Sequence, residues 1–182
     1  IEPLIIVGVD HTGVGRAAEY TPTRDARRNE GGRAGDYGLM LVNELKPWID
    51  RHFRTRSGPE DTGIGGSSLG GLVTLFLGLT HPDVFGRIAV LSPSLWWNGR
   101  QILTQARGVR RKLPLRVWLD AGTEEGPGTL RNVQILKNIL LKRGWRLNED
   151  LFYREVQGGR HSEHDWGHRA GDMLRALFPP VR

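Results

Sequence analysis

Cysteine is absent from the 182 residues, and its absence excludes a disulfide framework, a thiolate nucleophile and a zinc knuckle. It does not decide a compartment, because a chain without cysteine suits cytosol and periplasm alike. No stretch of about 18 apolar residues occurs, so no helix of this sequence is long and apolar enough to cross a membrane. The opening IEPLIIVGVD has neither a charged leader segment nor a small-residue cleavage site and starts on Ile1 rather than Met. The native N-terminus is therefore expected upstream of it. Internal repeats, low-complexity tracts, a Walker lysine and an H-E-x-x-H zinc motif are also missing.

What is present has the size and composition of one domain over 1–182: 38% of the residues are hydrophobic, enough for a core. The 26 basic residues outnumber the 20 acidic ones, for a net charge of +6. The small clusters Arg24, Arg27, Arg28 and Arg107, Arg110, Arg111 are interrupted, and no aromatic RNA-binding signature accompanies them. They read as a solvated, Arg-rich surface. No nucleic-acid partner is expected, while an anionic substrate is compatible with the charge.

Short runs rich in Val and Ile alternate with segments of helical period, the pattern of an α/β fold with a mostly parallel sheet and helices on both faces. Buried strands are expected at Leu4 to Val9, Thr62 to Gly66, Arg87 to Leu91 and Leu115 to Leu119, with a more polar fifth at about Asp150 to Val156. Leu39, Val42, Leu45, Ile49 and Phe53 mark one helix, in which Pro47 should produce a kink or a restart. Leu130, Val133, Leu136 and Leu140 mark another, ended by Gly144. The segment Thr12 to Gly35 reads as a long loop. Ligands of open parallel sheets bind beyond the carboxyl ends of the strands, which directs attention to Asp10, Ser68, Ser92, the Asp120 to Glu125 segment and His161.

Two adjacent serines stand in TGIGGSSLGGLVTLF. A nucleophile elbow needs a glycine two residues to either side of the serine, where a neighbouring Cβ would crowd the turn. Centred on Ser68 the pattern G-x-S-x-G is met by Gly66 and Gly70; centred on Ser67 it fails. A β-rich segment precedes Ser68 and an apolar, helix-like one follows it as far as Pro82, the context such a turn requires. A phosphate-binding loop fits less well, because Ser68 stands where the last glycine of G-x-G-x-x-G should be.

A serine hydroxyl needs a histidine base, and that base needs an acid. His161 lies in the turn GGRHSEHDW, after a strand and before a helix, whereas His164 and His168 fall within that helix. Read together, the three histidines are a rival metal site at i, i+3, i+7, which would leave Ser68 idle. For the acid, LRVWLDAGTEEG offers Asp120, Glu124 and Glu125, and spacing alone does not choose among them.

With these residues in place the chain resembles the esterase family of the α/β-hydrolases that holds enterochelin esterases, esterase D and certain feruloyl esterases. LIIVGVDHTG, EYTP, GGSSLGGL, HPDVFGRIAVLSPSLWW, LDAGTEEG and GGRHSEHDW occur in the family's order over nearly the whole chain. The resemblance implies an α/β-hydrolase fold and a carboxylic-ester hydrolase with the triad Ser68, Glu125 and His161, a backbone oxyanion donor at Leu69, an acyl-enzyme intermediate and no cofactor. It also implies that Asp10, Ser92, Trp96 and Trp97 border a small-molecule ester, with one tryptophan buried and one lining the cleft. An acyltransferase, or a binding module that kept the fold, is the alternative. In the resembled fold one strand separates Leu4 to Val9 from the nucleophile strand, and its loop supplies the second oxyanion donor. This strand is expected from an upstream portion of the same polypeptide.

Overall fold

The computed structural model describes residues 1–180. Its first part holds a short helix α1 (Arg16–Glu19), a hairpin of β1 (Arg24–Asp25) and β2 (Glu30–Gly31), and the helices α2 (Ala34–Met40) and α3 (Lys46–His52). Then β3 (Gly63–Ser67), α4 (Leu69–Thr80), β4 (Arg87–Leu91), α5 (Trp97–Gly108), β5 (Arg116–Gly122), α6 (Pro127–Lys142) and β6 (Leu151–Val156) alternate, and α7 (Glu163–Leu177) closes the fold. The main sheet is parallel throughout, in the order β3-β4-β5-β6, with Ile64 opposite Ile88, Ile88 opposite Val117 and Val117 opposite Leu151.

This topology follows from connection chirality. Each crossover advances one strand in the same direction, and right-handed crossovers of that kind lay their helices on one face. α4, α5 and α6 accordingly share one core with Ile88, Val90, Val117 and Leu119. The alternate strand positions Ala89, Leu91, Trp118 and Phe152 point the other way, as the two-residue period requires, and meet α7 through Trp166, Met173, Ala176 and Leu177. Helices thus cover both faces. α6 buries Val133, Leu136 and Leu140 and ends at Gly144, whose φ of +98° is the left-handed conformation that favours glycine there.

Two expectations are corrected. Leu4 to Val9 forms no strand, and Ile6 is 77% exposed. An apolar run becomes a strand only where a neighbour takes its backbone groups, and among the described residues β3 is an edge strand, pairing only with β4. Nor do Leu4 to Val9 and β3 pair with each other. The second correction concerns Thr12 to Gly35, which is not a structureless loop: α1 and the β1-β2 hairpin order it, with the Glu19 carboxylate accepting from the amide and hydroxyl of Thr12. Pro47 marks the expected restart: a π-helical turn at Leu41–Leu45 follows α2, and α3 begins at Lys46 with Pro47 in its first turn, the place in a helix where a proline ring is tolerated.

Candidate active site

Ser68 stands between the end of β3 and the start of α4 with φ +58° and ψ −120°, a conformation that side-chain-bearing residues rarely adopt. The local sequence makes this turn possible. A Cβ on Gly66 would lie 2.8 Å from the Gly70 backbone, and one on Gly71 would lie 2.8 Å from the Leu91 carbonyl oxygen. A Cβ on Gly70 would meet nothing, so of the two motif glycines Gly66 carries the steric demand. Leu69 is the first residue of α4, so its N–H has no carbonyl one turn back to donate to. The Ser68 hydroxyl is hydrogen-bonded to the Ser94 hydroxyl at 3.3 Å.

The acidic and histidine candidates come from the loops after β5 and β6. Gly122 and Gly159 let these loops touch: a Cβ on Gly122 would lie 2.1 Å from the Gly159 carbonyl oxygen, and the Glu124 amide donates to that oxygen at 3.0 Å. Glu125 and His161 meet across this contact, Nδ1 donating to Oε2 at 2.9 Å, with the Glu125 side chain fully buried and His161 40% exposed. A Nδ1–H held in this way leaves Nε2 as the free, basic nitrogen. The Trp166 ring lies edge-on to the imidazole, with centroids 4.8 Å apart. Of the other acidic candidates, Glu124 is half-exposed and paired with Arg160, while Asp120 makes no contact with His161. Asp120 is fully buried and accepts from the Trp118 indole, the Ser92 amide and Arg169. Burial holds its carboxyl above the usual carboxylate range despite those donors.

The Gly122 contact yields a prediction. Gly122→Ala places a methyl group against backbone, not against a flexible side chain. The loops must separate, at a cost of about 2 kcal/mol in stability, and the displaced Glu125–His161 pair should lower any turnover roughly tenfold. Urea denaturation together with steady-state rates checks both; a Gly122→Ala protein as stable and active as the parent would show that the loops have slack.

The remaining positions separate into two groups. Ser92 is fully buried, and its hydroxyl donates to Glu125 at 2.6 Å while accepting from Trp166 and Arg169; it braces the Glu125 carboxylate and does not border a cleft. Trp97 is buried, its indole donating to the Thr23 carbonyl oxygen at 2.7 Å, whereas Trp96 is 43% exposed with the Arg28 guanidinium 4.9 Å from its ring centre. Asp10 lies on the exposed N-terminal segment. His164 and His168 meet edge-on on the exposed side of α7, and no group of three metal-ligating side chains occurs among the described residues.

Sequence reading missed Ser94, Trp166 and Arg169. For Arg169 a signal exists. It falls in the apolar stripe of α7, three residues after Trp166 and four before Met173, a position where a charge must find a buried partner. Asp120, two residues after Trp118 on β5, points to that same face.

Comparison with known proteins places these features in a family. The family model described as "Putative esterase" matches residues 1–177. The iron(III) enterobactin esterase of Escherichia coli (strain K12) is 35% identical over 149 residues, covering 77% of this chain and 33% of that protein. The uncharacterized protein YbbA of Bacillus subtilis (strain 168) is 28% identical over 153 residues, covering 81% of this chain and 58% of that protein. Among solved structures, the enterochelin esterase of Shigella flexneri superposes with a TM-score of 0.70 at 29% identity, covering 80% of this chain and 37% of that one. The chain thus spans between a third and three fifths of the length of these two curated relatives.

Proposed function

The chain belongs to this esterase family, and from that premise we propose that it hydrolyses carboxylic esters with Ser68 as nucleophile, His161 as base and Glu125 as the acid that orients it. The observation that carries the proposal is the Glu125–His161 pair, a buried carboxylate on a partly exposed imidazole, assembled from two different loops at the same end of the sheet as the strained Ser68 turn. His161 Nε2 removes the Ser68 proton as the oxygen attacks the ester carbonyl. The tetrahedral oxyanion forms at the N-terminus of α4, where the Leu69 N–H donates to it. Collapse expels the alcohol, which takes its proton from His161, and leaves an acyl-serine that water hydrolyses by the same base. In the resting arrangement the Ser68 hydroxyl is hydrogen-bonded to that of Ser94, and the reaction requires it to turn from Ser94 to His161 Nε2.

For the substrate class we propose a siderophore ester carrying aromatic acyl groups. The named enterobactin esterase among the relatives supports this, and so does the surface at Trp96, where an exposed indole under the Arg28 guanidinium offers stacking and positive charge to an electron-rich, anionic aromatic ring.

The test is a panel of ester substrates combined with an organophosphonate. Hydrolysis of at least one ester, insensitive to EDTA, and a single phosphonyl adduct on Ser68 by peptide mass are expected. A protein that forms no adduct and cleaves no ester is a binding module on the same fold.

A further inference from the structure

The reaction scheme above leaves one buried charge unused. Arg169 is 5% exposed and lies on α7. Its Nη1 donates to Asp120 Oδ1 at 2.9 Å and to the Ser92 hydroxyl at 3.0 Å, and its Nη2 donates to Glu125 Oε1 at 3.2 Å. A guanidinium so deeply buried requires a counter-charge, and one carboxylate would suffice; here it faces two. The oxygens of Glu125 divide accordingly. Oε1 accepts from Ser92, the Gly122 amide and Arg169, which leaves Oε2 to His161 alone.

We propose that Arg169 is the positioning and charge-balancing residue of this site: it neutralises Asp120 and pins Oε1 of Glu125, so that a single net negative charge, presented by Oε2, answers the imidazolium that forms on His161. The inference rests on the reading of His161 as the base. Counted as charges, Asp120, Glu125 and Arg169 sum to minus one, and a proton on His161 brings the set to neutrality. Loss of Arg169 alone leaves the set at minus two, with Glu125 against the imidazole and Asp120 uncompensated nearby, and the imidazole then holds its proton too tightly to act as a base. Loss of the Asp120 charge alone lets Arg169 cancel Glu125. Either change is harmful for opposite reasons, and the two together restore the balance.

The groups facing the imidazole are Glu125 from the loop after β5 and the Trp166 ring from α7. Among the charged groups on the neighbouring turn, Arg160 is paired with Glu124, and Asp165 is hydrogen-bonded by the N-cap Ser162. None of them is altered by the test.

The experiment is a double-variant cycle of Arg169→Met and Asp120→Asn, read by the NMR titration of the His161 ring and by ester turnover. In Arg169→Met the pH midpoint of the ring signals should rise by about one unit, in Asp120→Asn it should fall by a similar amount, and in the double variant it should return close to the parent value. Turnover at neutral pH should drop about tenfold in each single variant with KM within about threefold, and the double variant should lose less than either. Should Arg169→Met fail to fold, the Asp120→Asn protein and the double variant carry the same comparison. Midpoints that stay in place, or losses that simply add, would overturn the proposal and leave Arg169 a packing residue. The ring titration needs no substrate, so a parent protein that cleaves no ester would sink the functional reading without touching this result.

Discussion

Ser68→Ala should lower ester turnover by about 10⁴-fold or more, while Ser67→Ala should stay within about threefold of the parent. The two serines are adjacent in sequence but differ in backbone state. Ser67 is the last residue of β3, in register with Leu91, and its side chain follows the sheet. Ser68 takes the left-handed φ of +58° that lifts its hydroxyl out of the strand to the N-terminus of α4. Only an oxygen in that position can attack a carbonyl whose oxygen faces the Leu69 N–H. Steady-state hydrolysis of a chromogenic short-chain ester checks the rates, and the phosphonate adduct, expected on the parent and on Ser67→Ala but not on Ser68→Ala, checks the site. Equal losses from both substitutions would mean that the turn is being disrupted and that neither serine is identified as the nucleophile.

Glu125→Gln is expected to cost on the order of 10² to 10⁴-fold, with Glu124→Gln nearly neutral and Asp120→Asn at least tenfold milder than Glu125→Gln. A glutamine at 125 can keep the size and one acceptor oxygen. It cannot supply the negative charge that stabilises the imidazolium, and its amide N–H₂ opposite Nδ1 favours the wrong tautomer. Glu124 is half-exposed and paired with Arg160, and a surface pair of this kind contributes little. Circular dichroism and thermal melts on the same preparations separate loss of function from loss of fold. A crippled Asp120→Asn beside an active Glu125→Gln would move the acid from the loop back to the strand.

How legible the molecule is in its sequence depends on the distance over which each feature is decided. Features settled within about ten residues are readable. The Val- and Ile-rich strands at Arg87 to Leu91 and Leu115 to Leu119 appear within a residue or three of β4 and β5, because a strand buried on both faces has no polar alternation to blur it. The stripe of α6 and its terminal Gly144 are local for the same reason. So is the elbow, since its glycines act on the turn that contains them. The run at Leu4 to Val9 shows the limit of local reading. Its composition favours a strand, but pairing is a property of two segments, and its backbone finds no partner among the described residues.

The site divides along the same line. By itself the sequence determines a parallel α/β chain, a serine at a sharp strand-to-helix turn, and acidic and histidine candidates in the loops that follow later strands. Residue spacing leaves the three carboxylates equivalent, the family resemblance implies Glu125, and the tertiary structure gives each a different partner. Asp120, Glu124 and Glu125 lie within six residues of one another, and what separates them is contact with residues far along the chain: His161 lies 36 residues from Glu125, and Arg169 lies 44 residues from Glu125 and 49 from Asp120. β5 directs Asp120 toward α7 and into the guanidinium, while the turn at Gly122, pressed against Gly159, brings Glu125 back over the strand ends to the imidazole. Residue type makes each of the three an acid. Only the surroundings that burial and packing provide give one of them the histidine, another the arginine and the third the solvent.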